Sequence, residues 1–487
     1  MNYWLLLAQL LYLLVLAATV VRIVYDTEIP AKTLGYLLLV ILLPVVGILF
    51  YHAVGTNHRK RKLYRNKLIG DSPLRQDIVA RSRVQSEEEI AKSPLLTTYA
   101  SLPRLMLNEN LDPLTVGNTV EILVNGEQKL PRVLEALGDA RDHIHVEYYR
   151  FEDDLVGRAI EEALTERARA GVKVRLIYDD FGSRSIRGKM AERMKQAGIE
   201  VVPFYKITLS AFANRINYRN HRKIIVVDGR AGFVGGINVS EDYVNGVGDD
   251  KKAPFWRDTH LMITGPAVQQ LQAVFLNDWR FCSGQEIPFD EMKARYFSVP
   301  THSSGDKPVQ ITASGPDSNA PAIMYSIIEA INLAQREVLI TTPYFIPGES
   351  LLNAICIAVG SGVDVRLLTP LKGDSIFVSK AAASYYERLL RAGVKIYRYK
   401  KGFVHAKTLV ADRSVAIVGT ANLDVRSFDL NFEINAIVYD KDTGNRIADL
   451  YAADCRDAVE LTLATWNERG VAARFGEKLA RLLSPVL

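Results

Sequence analysis

The chain has 487 residues, with 60 Lys and Arg against 55 Asp and Glu for a formal net charge of +5. That length leaves room for two domains of ordinary size, each able to bury its own core, and a charge this modest argues against a wholly basic nucleic-acid binder. Cys282, Cys356 and Cys455 are an odd, scattered set without metal-ligand spacing, read as reduced thiols of a cytoplasmic compartment.

Residues 3–21 and 33–54 are almost wholly apolar, and a short linker with Asp26, Glu28, Pro30 and Lys32 separates them. Each run is long enough to cross hydrocarbon as a helix, so residues 1–56 are predicted to form a two-helix transmembrane hairpin, kinked at Pro44. A secretory signal is the rival for the first run, but MNYW has no basic residue and a second apolar run follows at once. The next stretch, NHRKRKLYRNK at 57–67, supplies Arg59, Lys60, Arg61, Lys62, Arg65 and Lys67. Such a cluster favours the cytoplasmic face and attracts anionic lipid headgroups, which predicts cytoplasmic termini and a cytoplasmic catalytic region. A nuclease would explain the cations equally well; the hairpin favours lipid. From 68 to 114 the chain is polar and helix-prone, with Pro73, Pro94, Pro103 and Pro113 punctuating it, and a loosely packed connector is expected. The basic segment and connector together make up residues 57–115.

The rest of the chain is duplicated. Residues 132–151 align with 324–345, each an amphipathic helix followed by an apolar strand. RARAGVKVRLIYDD at 167–180 matches AVGSGVDVRLLTPL at 358–371, where glycine ends a helix and a Val/Leu-rich strand begins, and 195–204 matches 390–399. The fold class is therefore α/β, with two mixed-sheet domains at 116–300 and 301–487 related by a pseudo-two-fold axis. Residues 457–483 are expected to form a helix packed on the second domain.

Both copies carry one motif, HRKIIVVD at 221–228 and HAKTLVAD at 405–412, each followed by a glycine step and an asparagine: GGIN at 235–238, GTAN at 419–422. Strand alternation puts His221 and Lys223 on one face, and likewise His405 and Lys407. A phosphodiester there would meet an imidazole able to attack phosphorus and an ammonium beside its non-bridging oxygens. Asp228 and Asp412 complete the candidate catalytic set, although their position at the strand end suits turn or support residues better than proton carriers. Asn238 and Asn422 offer amide donors for phosphate oxygens. A single HxK on a strand is ordinarily a solvated edge; two copies matched over His, Lys, Asp, Gly and Asn point to a site. His143, His145 and Glu147 form HxHxE on a strand, but the duplicate VLITT at 338–342 has no ligand there, so no metal is expected. Glu147, Tyr148 and Tyr344 are candidates to line the cleft.

These features resemble the phospholipase D superfamily with its doubled HKD motif, and specifically the bacterial cardiolipin synthases. The likeness extends over RNHRK at 219–223, FWRDTHLMITGPAV at 255–268, TPYFIP at 342–347, GTANLDVRSFDLNFEIN at 419–435 and the terminal SPVL, nearly the whole chain. Gly236 departs from it, standing where the superfamily often has serine; Thr420 keeps a hydroxyl at the equivalent place. The resemblance implies two-step phosphatidyl transfer from one phosphatidylglycerol to another without cofactor or metal. In it His221 would be the nucleophile and His405 the general acid and base, Lys223, Lys407, Asn238 and Asn422 would hold the phosphate, and Asp258 would orient His221 and Glu433 would orient His405. It implies a bacterial inner-membrane protein whose partners are phosphatidylglycerol and anionic lipids rather than nucleic acid. A hydrolase, a tethered nuclease and a catalytically silent lipid-binding scaffold are the competing readings; oligomeric state is left open.

Overall fold

The computed structural model describes residues 3–27, 30–52, 73–206, 218–247, 254–297 and 305–482. The basic run at 57–67 and the terminal SPVL lie outside the described residues.

The first apolar run forms one helix, Tyr3–Asp26, and among the described residues it alone is long and apolar enough to cross a membrane. The second run is helical but interrupted: Pro30–Leu42 ends and Pro44–Phe50 begins anew, since Pro44 lacks an N–H and its ring crowds the preceding turn. In place of one continuous second span stand two short helices, which pack on the first through Ile23, Val40 and Tyr51.

The connector is more ordered than its polarity suggested. It forms helices Pro73–Lys92, Pro94–Thr98 and Ser101–Asn110, the second capped by Ser93, whose Oγ accepts from the Leu96 N–H at 3.3 Å. Ile90, Leu96, Tyr99, Leu102, Met106 and Leu114 are buried in the core of the second domain, beside Ile323 and Ile327. Averaged polarity hid the helical spacing of Tyr99, Leu102 and Met106, which marks one apolar face.

Among the described residues the duplication is visible strand by strand in one sixteen-stranded sheet. From its outer edge inward the first half runs Glu200–Phe204, Lys173–Asp179, His143–Tyr148, Lys223–Val227, Ala231–Gly235, Thr259–Thr264 and Thr115–Val124. The second half repeats that order with Lys395–Tyr399, Asp364–Pro370, Glu337–Thr341, Thr408–Ala411, Val415–Gly419, Asn431–Tyr439 and Lys307–Ser314. The halves join where Thr115–Val124 pairs antiparallel with Lys307–Ser314. Within each half the outer strands are parallel and the motif hairpin antiparallel, giving the expected mixed sheets.

Helices Asn125–Gly138, Leu155–Arg169 and Lys189–Gln196 cover one face of the first half, and Ala322–Leu333, Gly348–Gly360 and Ile376–Ala392 the corresponding face of the second. Between the halves Val226, Val234 and Leu261 share a core with Val410, Ala416 and Val418, closed by Leu271 and Tyr451 from helices Ala267–Ser283 and Lys441–Arg456. Full burial of a valine or leucine contributes roughly 1.5–3 kcal/mol, so this shared core strongly disfavours separating the halves. Gly171 and Gly362 end equivalent helices at φ +91° and +93° with open space around them; glycine is needed there for the left-handed backbone, not for room. After Lys441–Arg456 the chain adds an edge strand, Ala458–Leu461, before helices Leu463–Asn467 and Val471–Arg481 return to pack on Ile376–Ala392.

Candidate active site

Each motif histidine stands just outside its central strand, and a short strand pairing across the halves carries it to the seam. Arg219–Asn220 pairs with Asn431 and Phe432 of the second half, and His221 N–H continues the ladder to the Phe432 carbonyl at 2.9 Å. In mirror fashion Gly402–Val404 pairs with Phe255–Arg257 of the first half, and His405 N–H donates to the Arg257 carbonyl at 2.7 Å. This crossing decides which carboxylate each ring meets. His221 Nδ1 lies 2.9 Å from both Glu433 oxygens, and His405 Nδ1 lies 2.7 Å from Asp258 Oδ2. The two carboxylates expected beside the rings are there in exchanged order: each imidazole meets the one from the opposite half, because the seam brings the other copy's strand beside it.

Both rings are nearly enclosed, His221 at 8% and His405 at 7% exposure, and both lysines are buried. Burial pushes the imidazoles down, His221 to about 4 and His405 to about 3, with the neighbouring ammonium groups adding to the fall and the paired carboxylates opposing it. Burial likewise lowers Lys223 to about 7 and Lys407 to about 8, against the pull of Glu433 and Asp258. The four groups share one field: Lys407 depresses His221 and Lys223 depresses His405. Burial also disfavours the carboxylates' charge, but His221 beside Glu433 and Lys407 beside Asp258 hold both below the usual carboxylate range.

The lysines are placed differently. Each lysine donates to the carbonyl of its own histidine, Lys223 to His221 at 2.8 Å and Lys407 to His405, but Lys407 Nζ lies in addition 2.8 and 3.0 Å from the two ring nitrogens of His405. Glu433 is further held by Thr420 Oγ1 at 2.5 Å and Asn431 Nδ2 at 3.1 Å. Asp258 Oδ1 accepts from Thr259 N–H at 2.7 Å, and a Cβ at Gly236 would come within 2.1 Å of that same oxygen. The departure at Gly236 is thus steric: the carboxylate fills the place a serine would need.

The structure places Asp228 and Asp412 away from the paired rings, in supporting positions. Both take φ +51° at the far end of the motif strand and bind backbone N–H groups, Asp228 those of Arg141, Asp142 and His143, Asp412 those of Gln335, Arg336 and Glu337, all within 3.0 Å. They pin the neighbouring strand to the motif hairpin, and Asp412 also accepts from Tyr99 of the connector. Asn238 is committed to protein groups, its amide N donating to Tyr243 Oη at 2.6 Å and its oxygen accepting from Arg150 N–H. Asn422 is freer: its buried Oδ1 has no partner among the described residues.

Glu147 and Tyr148 are not in the cleft. Glu147 is buried with Asn220, Arg222 and Asp278, and Tyr148 lies in the core under Lys129, because a strand covered on both faces turns neither set of side chains to a cleft. The ring beside His221 belongs to Tyr149, one residue past the strand, at 4.9 Å. Trp256, Tyr243 and Phe403 surround His405 at 5.3, 5.6 and 5.8 Å, and Tyr344 stands behind Phe403. Of these only Tyr344 was anticipated, although Trp256 sits two residues from Asp258 in the segment already quoted. Lys129, also missed, is buried and donates to the Ile237 carbonyl at 2.8 Å, fixing the backbone before Asn238. His143 and His145 lie in the core, both bound to Gln272, and no group of three metal-ligating side chains occurs among the described residues.

The sequence profile described as "Cardiolipin synthase, PLD-like domain" matches residues 133–279 and 327–455, the two halves of the repeat. A cardiolipin synthase of Geobacillus sp. (strain WCH70) is 39% identical over 459 residues, covering 94% of this chain and 89% of its own, and cardiolipin synthase 1 of Bacillus anthracis is 38% identical over 467 residues, covering 95% and 90%. Among solved structures, phosphatidylserine synthase of Haemophilus influenzae Rd KW20 shares the fold at a TM-score of 0.59 and 15% identity, over 80% of this chain and 100% of that one. A duplicated sheet, a paired-histidine seam and relatives this similar end to end are mutually consistent: the chain belongs to the cardiolipin synthase family of phospholipase D-like proteins.

Proposed function

We propose that the chain makes cardiolipin by moving a phosphatidyl group from one phosphatidylglycerol to a second, through a phosphohistidine on His221. Membership of the family carries the phosphatidyltransferase activity. The observation that carries the mechanism is the crossed pairing of each imidazole with a buried carboxylate of the other half. With its Nδ1 proton given to Glu433, neutral His221 keeps a lone pair on Nε2 for attack. Nε2 bonds to phosphorus as the bond from phosphorus to the departing glycerol oxygen breaks, and His405 delivers a proton to that oxygen. His405 then takes the proton from a headgroup hydroxyl of the second phosphatidylglycerol. That oxygen attacks phosphorus and the P–N bond breaks, restoring His221.

His405 must be protonated for the first step, and a phosphate anion beside it supplies what burial removes. An opposite charge within ~4–6 Å favours the imidazolium, as it favours charged Lys223 and Lys407. The ammonium groups neutralise the non-bridging oxygens, with the amide N–H of Asn422 as a further donor. Asn238 could join only by giving up Tyr243.

The apolar N-terminus is read as a membrane hairpin in an inner membrane, with the catalytic halves cytoplasmic. Packing of the interrupted second run on helix Tyr3–Asp26 and the basic composition of 57–67 support this. A cysteine introduced at Glu28, between the runs, should react with an impermeant thiol reagent only from the side opposite the catalytic halves; reaction from the same side removes the hairpin.

The deciding assay supplies labelled phosphatidylglycerol to the purified protein. Label in cardiolipin with release of glycerol is expected; label in phosphatidic acid would make the second step hydrolysis, and no lipid turnover with nucleic-acid cleavage lost on His221→Ala would make it a nuclease.

A further inference from the structure

The last helix, Val471–Arg481, carries its apolar residues on the side turned away from the protein. Ala480 is buried against the second domain, Gly476 lies beside Lys380, and Arg481 stacks over Tyr385, so this side faces helix Ile376–Ala392. At 3.6 residues per turn Val471, Phe475, Leu479 and Leu482 form one stripe on the opposite side, and all four are exposed, Phe475 to 69%. A helix packing on its own domain should bury such a stripe and expose Ala480. Arg474 and Lys478 flank the stripe, Arg481 is turned to Tyr385 and Glu349, and the helix's single carboxylate, Glu477, is taken by Arg469.

A second exposed apolar group lies on the element beneath. Ile376 and Phe377 open helix Ile376–Ala392, Phe377 at 62% exposure, and Leu371 precedes them in the same loop. That loop borders the site: its Asp374 accepts a hydrogen bond from Tyr344, which stands behind Phe403 and so behind His405.

We propose that Val471–Arg481 is an in-plane docking helix, its apolar stripe inserted among the acyl chains of an anionic bilayer and its cations on the headgroups, so that the rim at Leu371, Ile376 and Phe377 is held against the same lipid surface. The choice of occupant rests on charge: an apolar stripe edged by Arg and Lys complements an anionic interface, whereas a second copy would bring the same cations face to face. The inserted stripe does not depend on the reaction. Its consequence for turnover rests on the proposed lipid substrate.

The test uses the full chain in vesicles of phosphatidylglycerol and phosphatidylcholine containing lipids spin-labelled along the acyl chain. An environment-sensitive fluorophore is placed at Phe475→Cys or, at an exposed position on the side of the helix away from the stripe, at Ala473→Cys, and labelling of unsubstituted protein is subtracted. Quenching at 475 exceeding that at 473 by roughly twofold or more is expected for an inserted stripe. Equal quenching at both positions, or none at either, overturns the proposal, as does energy transfer between labels on different copies that grows with protein density. Paired Phe475→Asp and Leu479→Asp should cut turnover of vesicle substrate roughly tenfold while sparing short-chain phosphatidylglycerol in micelles. Equal loss on both substrates, or none on vesicles, overturns the link to the site. If the unsubstituted chain turns over neither lipid, the proposed reaction fails while the quenching contrast still decides the docking.

Discussion

Glu433, which holds His221, takes both oxygens to the ring and two further hydrogen bonds from Thr420 and Asn431, whereas Asp258, which holds His405, gives one oxygen to the ring and the other to a backbone N–H, with bare Gly236 beside it. The lysines share a bond to their own histidine's carbonyl and differ in the rest, Lys407 alone lying across both nitrogens of its imidazole. A ring with a doubly held carboxylate and an unencumbered Nε2 suits attack on phosphorus. A ring pressed by an ammonium gives up a proton readily once it has one. Duplication supplied two equal histidines, and small differences in their supports allow each a separate task.

The sharpest way to break this comparison is to remove each ring. His221→Ala should abolish the covalent intermediate and reduce transfer by roughly 10⁴-fold or more, with no labelled enzyme after quenching and mass spectrometry. His405→Ala should lose comparably on phosphatidylglycerol yet still acquire label on His221 from an analogue with a nitrophenol leaving group, which departs without a proton. Label on His405 in the unsubstituted protein would exchange the roles.

The crossed carboxylates offer a finer cut. Glu433→Gln should cost roughly 10²–10⁴-fold and should not be rescued by the nitrophenol analogue, because it disables the attacking ring; Asp258→Asn should cost a similar factor and be rescued for the first half-reaction. Rescue in the opposite pattern would restore the same-half pairing. The pH profile of kcat/KM should be bell-shaped. Below about 4 His221 is protonated and cannot attack; on the alkaline side the proton that His405 must carry is lost first, and above about 7 to 8 the fall steepens as Lys223 and Lys407 lose the charge that meets the phosphate. An alkaline limb unchanged when Lys223 and Lys407 are replaced by arginine would remove the lysines from that role.

Much of this arrangement was legible in the residues, and the failures have identifiable causes. The strand order follows from the repeat, since matching helix and strand patterns of 132–204 and 324–399 leave two copies of one sheet to join. The rings and lysines were read from the doubled motif, and the two carboxylates from the family resemblance. Pairing of Asp258 and Glu433 was read along the chain, within each copy, and a two-fold seam reverses it; no local pattern carries that information. Tyr148 was expected at the cleft where Tyr149 stands, and alternation offers no correction, because it assigns faces only while one face is solvated and His143–Tyr148 is buried throughout. The connector misled through its mean polarity, while its apolar stripe at 99, 102 and 106 was present all along.

The smallest effects probe the hydroxyl that one half has and the other lacks. Thr420→Val removes a hydrogen bond to buried Glu433 while keeping the shape of the side chain, so the carboxylate loses one donor and retains Asn431 and His221. A bond to a charged group contributes roughly 1.5–3 kcal/mol, part of which the remaining donors recover, and an expected slowing of about three- to tenfold should fall on phosphorylation of His221 in single-turnover measurements. Gly236→Ser is not the reciprocal gain, because its Cβ would occupy the place of Asp258 Oδ1 and displace the partner of His405. It should therefore slow turnover of phosphatidylglycerol more than turnover of the nitrophenol analogue. Were the serine variant faster on both, Asp258 would have room to spare, and the two supports would be interchangeable after all.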